Sequence, residues 1–326
     1  GLVGLLTLAS RVLGLVRDAV VAAFFPKGGT DAFFVAFTVP NVLRRLLAEG
    51  ALTVAFIPVF TEYREGRGLA QAREMLANML GTALAVVLGV TALGMVFAPQ
   101  VVLAFAYGLT ADPGRLALAV TLTRTMFAFL VWAGLSALAM GALNSVRHFT
   151  APALAPAVLN VFIIGAVVVG ASRMAGWGFP PTMAIAIGVV VGGAAQLVLQ
   201  LPVLRRHGLV VAPRWGFGHP GVRRVARLMG PSVFALAIYQ LYVMLARQFA
   251  SFLPEGSIST LYYAQRLVEF PIGIFAVALA TVTMPVLSSQ ASAGEIQQVK
   301  ATYGYALRLV FFVPVSYTHL TLPTNA

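Results

Sequence analysis

Long apolar segments without a charged residue constrain the fold of this chain more than any other feature. Such segments carry no Asp, Glu, Lys or Arg, and each reaches the roughly 20 residues that a helix needs to cross a bilayer; they lie at 75–111, 149–172, 174–204, 228–246 and 270–294. Hydrophobic residues make up 60% of the 326 positions and charged residues 10%, and the mean hydropathy is +0.90. A soluble domain has a far higher charged fraction. The sequence therefore predicts an all-α polytopic membrane protein.

Breaks in the apolar pattern divide the chain into eight membrane spans and the start of a ninth at residue 301. The eight spans are expected at 2–25, 30–61, 76–107, 115–145, 151–172, 181–204, 228–252 and 258–287. The longest polar connection, 205–227, separates six spans from those that follow. We expect a complete six-helix N-terminal lobe at 1–204, a connection at 205–227 and part of a second lobe at 228–316. The polar run 317–326 is expected to end the last helix and is interpreted as a non-native tail.

Basic residues are concentrated in the connections after the even-numbered spans. Those connections contain Arg64, Arg147, Arg205 and Lys300, whereas the connections after the odd-numbered spans contain little beyond Lys27. Lys and Arg favour the cytoplasmic side of a membrane protein. The N-terminus is therefore expected in the cytoplasm.

The formal net charge of +12 could indicate nucleic-acid binding, but the distribution of the charges argues against it. The basic residues lie in connections beside the apolar spans or within the spans, and no soluble basic face is evident. The chain has no cysteine, which excludes disulfides and thiolate metal sites. No histidine spacing suggests a metal, and no phosphate-binding loop or nucleophile with a base is found. We expect no metal and no enzyme activity.

Charged residues inside the first span form a polar stripe. At 100° per residue, one arc of about 120° contains Thr7, Ser10, Arg11, Gly14, Arg17 and Asp18. A charged residue at the centre of a membrane helix costs roughly 2.5–3.5 kcal/mol on insertion scales, so such residues usually face a wet cavity and mark a solute path. Asp18 offsets part of the positive charge. The stripe predicts a site for an anion.

The second and eighth spans repeat the combination of cation, carboxylate and proline. In the second span Pro40, a candidate kink, is followed by Asn41, Arg44, Arg45 and Glu49. In the eighth span Arg266 and Glu269 are three residues apart and precede Pro271. Asn160 lies in the middle of the fifth span and is a further cavity candidate.

Each of these residues also has a structural interpretation. An arginine near the end of a span often extends its side chain to the interface, and we expect this of Arg124 and Arg247. Arg45, Glu49 and Glu269 are expected to orient the other arginines. Gly188 and Gly192, four residues apart, are expected to mark close helix packing.

Guanidinium groups bind phosphate oxygens bidentately and stay protonated in any cavity. Converging arginines therefore favour a phosphate or pyrophosphate as the transported group. Prolines and glycines that interrupt long spans are typical of transporters in which two bundles rock around a central site.

Four segments resemble the MurJ (MviN) family of bacterial lipid II flippases. They are SRVLGLVRDAVVAAFF (Ser10 to Phe25), TDAFFVAFTVPNVLRRLLAEGALTVAFIPVFTEY (Thr30 to Tyr63), APALAPAVLN (Ala151 to Asn160) and YYAQRLVEFPIGIFAVAL (Tyr262 to Leu279). The similarity extends from Leu2 to about Pro314. Members of this family have two six-helix lobes around a cationic cavity, the fold of the multidrug/oligosaccharidyl-lipid/polysaccharide (MOP) exporters, and this chain stops near the ninth span.

The resemblance implies transport of a lipid-linked peptidoglycan precursor, lipid II, to the outer leaflet of the bacterial cytoplasmic membrane by alternating access. The family's important positions correspond to Ser10, Arg11, Arg17, Asp18, Asp31, Arg44, Asn160 and Arg266 here. Asp31 enters only through the resemblance, and its structural interpretation is a charge at a helix N-terminus. The expected partners are lipid II and membrane lipids. No cofactor is expected, and coupling to an ion gradient or to the membrane potential stays open.

Three alternatives remain at this stage. A related MOP exporter would carry another polyprenyl-linked saccharide, or a drug or cation in exchange for an ion, and an antiporter of cations should place carboxylates rather than arginines at its cavity. A membrane enzyme acting on polyprenyl pyrophosphate should add a cluster of carboxylates for a metal or a histidine base. A membrane scaffold would not need a charged stripe.

Overall fold

In the computed structural model, which describes residues 2–46 and 51–321, the chain is helical and the described residues contain no strand. The helices are α1 (Leu2–Phe24), α2 (Lys27–Arg44), α3 (Ala51–Arg67), α4 (Leu69–Val96), α5 (Ala98–Ala106), α6 (Pro113–Ser145), α7 (Thr150–Gly176), α8 (Met183–Arg206), α9 (Pro220–Ala250), α10 (Ser257–Ser292) and α11 (Ile296–Thr321). A 3₁₀ turn at Tyr107–Ala111 connects α5 to α6. The expectation of an all-α chain is confirmed.

Three of the expected spans differ from the observed helices. The second span is recorded as α2 and α3, with a π-helical turn at residues 45–46 after α2. The third span is interrupted at Phe97. Pro99 lies in the first turn of α5, where the N–H that proline lacks would have no partner within the helix. The expectation that the run from Tyr317 would end the last helix is wrong for its first residues, because α11 continues to Thr321.

Helix α6 is the centre of the N-terminal bundle. It packs against α2, α3, α4 and α8, while α7 packs against α8 and α1. Large side chains that are fully buried, such as Phe127, Phe129 and Leu130, extend from α6 into the surrounding helices. Burial of apolar side chains on all sides explains why this helix shows no amphipathic pattern.

Glycines bring helix backbones close together, as expected from the sequence. A Cβ atom at Gly188 would lie 2.7 Å from the Cβ of Ala166, and one at Gly192 would lie 2.9 Å from Cδ1 of Leu159. Both contacts are between α8 and α7. The prediction that this pair of glycines marks close helix packing is confirmed.

The chain divides into two compact units, at 1–261 and 262–326. The first unit includes α9 and the first residues of α10, and α9 packs against α3, α4 and α5. The second unit contains the rest of α10 and α11.

Five of the described helices are long and apolar enough to cross a membrane, namely α4, α6, α7, α8 and α9. Many large apolar side chains are exposed on the outside of the bundle, including Leu5 on α1, Leu93 on α4 and Phe234 on α9. Contiguous exposed apolar surface of this kind is unfavourable in water and favourable in lipid. The structure therefore has the surface of a multi-pass membrane protein.

Candidate functional site

Arg17 and Asp18 form a buried ion pair on α1. The Nε and Nη2 atoms of Arg17 donate to Oδ1 of Asp18 at 2.9 Å and 2.6 Å. Both residues are 7% exposed. A charge at this depth is stable only when it is paired and hydrogen-bonded. The pair is formed by adjacent residues, as their position on one stripe allows.

Helix α7 completes this cluster with an amide. Nη1 of Arg17 donates to Oδ1 of Asn160 at 3.0 Å, and Nδ2 of Asn160 donates to the backbone oxygen of Ser10 at 3.3 Å. Asn160 and Ser10 are both buried. A Cβ atom at Gly14 would lie 3.6 Å from Nδ2 of Asn160, an ordinary van der Waals distance, so α1 and α7 are close at this point. We call Ser10, Arg17, Asp18 and Asn160 the α1–α7 cluster.

Arg11 lies on α1 and is half-buried. Within residues 2–46 and 51–321, no hydrogen-bond or ion-pair partner of its side chain is found. It therefore adds an uncompensated positive charge to the helix that carries the α1–α7 cluster.

Arg44 and Asn41 form a second cluster at the end of α2. The Nε and Nη2 atoms of Arg44 donate to Oδ1 of Asn41 at 3.1 Å and 2.8 Å. Arg45 follows at the π-helical turn and is half-buried. The predicted partner Glu49 lies outside the described residues. Since α2 packs on α6 whereas α1 packs on α7, Arg44 and Arg17 belong to different helix pairs.

Arg266 and Glu269 lie in the second unit, on α10. Nη1 of Arg266 donates to Oε2 of Glu269 at 3.3 Å, and Nε2 of Gln265 donates to Oε1 of the same carboxylate at 3.0 Å. Both charged side chains are about one-third exposed. The prediction that Glu269 orients Arg266 agrees with this contact.

Asp31 caps the start of α10 rather than its own helix. Its carboxylate accepts from the backbone nitrogens of Gly256 at 2.7 Å and Ser259 at 2.8 Å, and from the hydroxyl of Ser259. Nη2 of Arg115, at the start of α6, donates to the same carboxylate at 2.9 Å. The residue is 1% exposed. The expectation of a charge at the N-terminus of α2 was therefore incomplete, because the carboxylate neutralises the positive end of another helix.

The expectation that Arg247 extends its side chain to the membrane interface is wrong. It is 3% exposed, and Nη1 donates to the backbone oxygen of Ile258 at 3.2 Å. The contact fastens the end of α9 to the first turn of α10, which the sequence alone did not signal. Arg124, in contrast, has an exposed contact in which Nε donates to the backbone oxygen of Met95 at 3.3 Å.

A second contact near this turn joins the 3₁₀ turn after α5 to the end of α9. The backbone nitrogens of Tyr107 and Gly108 donate to the side chains of Gln248 and Ser251, each at 2.9 Å. A Cβ atom at Gly108 would lie 2.1 Å from the backbone oxygen of Ser251, so only glycine permits this approach. We call the contacts of Asp31, Arg247, Tyr107 and Gly108 with the α9–α10 turn the turn cluster.

Comparison with known proteins decides the family of this chain. The family model described as lipid II flippase MurJ matches residues 20–323. The lipid II flippase MurJ of Burkholderia cenocepacia is 40% identical over 313 residues, which cover 94% of this chain and 60% of that protein. The probable lipid II flippase MurJ of Vibrio cholerae is 37% identical over 327 residues, which cover 96% of this chain and 61% of that protein.

The chain belongs to the MurJ family. It spans about 60% of the length of these relatives. The family is one of transporters rather than enzymes. Together with the apolar helices, membership places the chain among multi-pass proteins of the bacterial inner membrane.

Solved structures confirm the MOP-exporter fold. A structure titled lipid II flippase MurJ, inward closed conformation, matches with a TM-score of 0.76 and 24% identity, over 96% of this chain and 63% of that one. An outward-facing MATE multidrug transporter of the MOP superfamily matches with a TM-score of 0.64 and 14% identity, over 98% of this chain and 70% of that one. These likenesses bear on the fold alone.

Proposed function

We propose that this chain forms the N-terminal lobe and part of the second lobe of a lipid II flippase. The transported lipid would move from the inner to the outer leaflet of the cytoplasmic membrane by alternating access, without covalent chemistry. Membership of the MurJ family supports the substrate. The observation that carries the site is the α1–α7 cluster, in which a buried arginine is fixed by a carboxylate and an amide from another helix.

The chemistry of the site follows from its charge. Arg17 and Asp18 compensate each other, and Arg11 leaves α1 with an excess positive charge. In this proposal Arg44 on α2 and Arg266 on α10 would supply further positive charge. A guanidinium fork held in one orientation loses little entropy when it binds a pyrophosphate bidentately. Ser10 and Asn160 would contact the substrate beside the arginines. Asn41, Arg45, Glu49 and Glu269 would orient the arginines.

The turn cluster would close one side of the cavity. It joins α2, α6 and the 3₁₀ turn after α5 to the turn between α9 and α10. This turn lies at the end of α9 opposite to the basic connection 205–227. Basic connections favour the cytoplasm, so the turn cluster would face the periplasm and the N-terminus would lie inside. Separation of these contacts would open the cavity to the outer leaflet.

A cation or drug antiporter of the same fold is the second candidate, but the buried carboxylates do not favour it. Asp18 and Asp31 are the buried carboxylates within the described part of the chain, and each accepts a hydrogen bond from an arginine. A carboxylate neutralised in this way offers little attraction for a cation.

Complementation of a bacterium depleted of its own flippase tests the proposed function. Full-length protein that contains these residues should restore growth, and its Arg17→Ala or Arg266→Ala variant should not, because each loses a guanidinium of the proposed site. Membrane abundance of each variant is measured by immunoblotting.

Arg124→Ala is the matched control, because its side chain is exposed and contacts only a backbone oxygen in the contacts described. It should complement as well as the parent. Normal growth of the protein with both Arg17 and Arg266 replaced would contradict the proposal.

A further inference from the structure

An apolar groove lies between α4, α6 and α9, away from the residues of the proposed transport site. Its volume is about 440 Å³, within the range of sites that hold small molecules. Val86 on α4, Leu130 on α6 and Met229 on α9 are among its lining residues. Of the side chains predicted for substrate binding or its support, none that the structure describes lines it.

The length of the groove matches one leaflet of a bilayer. On α9 its lining extends from Val222 to Val233, which is about 17 Å at 1.5 Å per residue. Half of a hydrocarbon core of about 30 Å is about 15 Å. Trp215 and Phe217 are exposed at the end that carries Val222, with ring centroids 5.0 Å apart. Exposed aromatic residues of this kind mark the membrane interface.

The interfacial end of the groove is positively charged. Arg223 lines it, and Arg227 is exposed one turn further along the same face of α9. Arg224, which lies between them in sequence, instead donates to Oε2 of Glu62 at 2.7 Å. The described residues that line the groove include no carboxylate. Basic pockets between membrane helices on the cytoplasmic side attract anionic lipid head groups.

A buried hydroxyl in the groove wall also favours a ligand that carries a polar atom. Thr82 is a lining residue of the groove, and its buried Oγ1 has no hydrogen-bond partner among the residues that the structure describes. Asn78, against which Gly216 packs closely, lies one turn earlier on α4. Four residues of helix separate Thr82 from Asn78, so Thr82 lies about 6 Å deeper in the membrane than the segment around Gly216. An ester carbonyl of a glycerolipid at this depth would accept a hydrogen bond from its hydroxyl.

We propose that this groove binds one anionic glycerophospholipid from the leaflet beside the connection 205–227. An acyl chain lies along α9, the ester carbonyl accepts from Thr82, and the phosphate contacts Arg223 and Arg227. The positive-inside rule makes this the cytoplasmic leaflet. Because α9 contacts the N-terminal bundle here, the lipid fills a gap between membrane helices that protein side chains leave open.

Native mass spectrometry tests this site. Full-length protein is reconstituted in vesicles of phosphatidylcholine with 20 mol% phosphatidylglycerol, a composition chosen at roughly the level of anionic lipid that attracts basic segments, and then extracted in mild detergent. We expect one phosphatidylglycerol to stay bound per protein in preference to phosphatidylcholine. Arg223→Gln should reduce its retention about tenfold, as expected for the loss of one charged hydrogen bond.

Gly230→Leu gives a second, independent variant. No atom lies within 4 Å of a Cβ at Gly230, which lines the groove, so leucine enters the groove without a backbone clash and occupies the path of the acyl chain. Arg206→Gln is the matched control for Arg223→Gln, because Arg206 is an exposed arginine at the end of α8. Gly89→Leu is the matched control for Gly230→Leu, because Gly89 is an exposed glycine of α4 with no atom within 4 Å of its Cβ. Both should retain the lipid.

Three results would overturn the proposal. Equal retention of phosphatidylcholine and phosphatidylglycerol would show general lipid contact only. Unchanged retention in both Arg223→Gln and Gly230→Leu, with unaltered thermal unfolding, would place the lipid elsewhere. Displacement of phosphatidylglycerol by an equal mole fraction of undecaprenyl phosphate would assign the groove to a polyprenyl lipid.

Discussion

At the scale of single residues, the cost of a buried arginine is offset by its hydrogen bonds. Asp18 accepts two hydrogen bonds from the Arg17 side chain. Asn160 accepts one more from the same side chain. Hydrogen bonds to charged groups contribute about 1.5–3 kcal/mol each, which is comparable to the roughly 2.5–3.5 kcal/mol cost of inserting an arginine at a helix centre. The guanidinium is therefore held in one orientation at little net cost in stability.

Removal of the carboxylate alone should destabilise the protein. Asp18→Ala leaves the Arg17 charge buried, with an expected loss of about 3 kcal/mol in the free energy of unfolding. The double variant Arg17→Ala/Asp18→Ala removes both charges and should cost less than the sum, with a coupling of about 1–3 kcal/mol. Unfolding in detergent micelles measures all four proteins of the cycle.

Arg64 and Glu65 provide the control pair. They are also adjacent in sequence, with Nη2 of Arg64 3.2 Å from Oε1 of Glu65, but Glu65 is 65% exposed. The same cycle there should give a coupling within about 0.5 kcal/mol of zero. Equal coupling in the two cycles would contradict the account of a buried pair.

At the scale of elements, the turn cluster shows what the sequence could and could not predict. Periodicity placed Ser10, Arg17 and Asp18 on one face of α1, because helical geometry alone determines which residues share a face. The partner helix of Asp31 was not predictable in this way, since Ser259 is 228 residues away. Arg247 was misplaced although its acceptor Ile258 is only 11 residues away, because that acceptor belongs to the next helix.

Gly108→Ala should separate the 3₁₀ turn after α5 from the α9–α10 turn. The added Cβ would meet a backbone oxygen that cannot rotate away, and overpacking of this kind costs about 1–3 kcal/mol. We expect the thermal midpoint of the variant to fall by several degrees.

Gly89→Ala is the control, because nothing lies within 4 Å of its Cβ and alanine favours the helix by up to about 1 kcal/mol. A midpoint for Gly108→Ala that equals or exceeds that of Gly89→Ala would show that the close approach is not required.

At the scale of the whole molecule, composition and apolar segments predicted the all-helical membrane fold, because a bilayer permits few other arrangements. The break at Phe97 was not predicted, since the apolar run 75–111 continues across it. The substrate-binding roles of the arginines stay predictions. What the structure adds is the grouping of Arg17 with Asn160 across α1 and α7.

A disulfide can test whether the turn cluster must open during transport. Oγ1 of Thr30 and Oγ of Ser259 lie 2.8 Å apart, so the two side chains meet and cysteines at these positions could approach to the roughly 2.05 Å of a sulfur–sulfur bond. The sequence contains no cysteine, so Thr30→Cys/Ser259→Cys introduces the sole reactive pair of this chain. Oxidation should abolish lipid II transport in proteoliposomes, and a reductant should restore it. Full transport by cross-linked protein would exclude opening at this point, and the single variants control for loss of the hydroxyls.

The binding of lipid II to the full-length protein in nanodiscs tests the central claim most directly, because it needs no later step of transport. If Arg17, Arg44 and Arg266 bind the pyrophosphate, each alanine variant should weaken the affinity by about 10- to 100-fold, the equivalent of one charged hydrogen bond or more. Arg124→Ala should bind as tightly as the parent protein. Unchanged affinity in all three variants would contradict the assignment of these arginines to the transported anion.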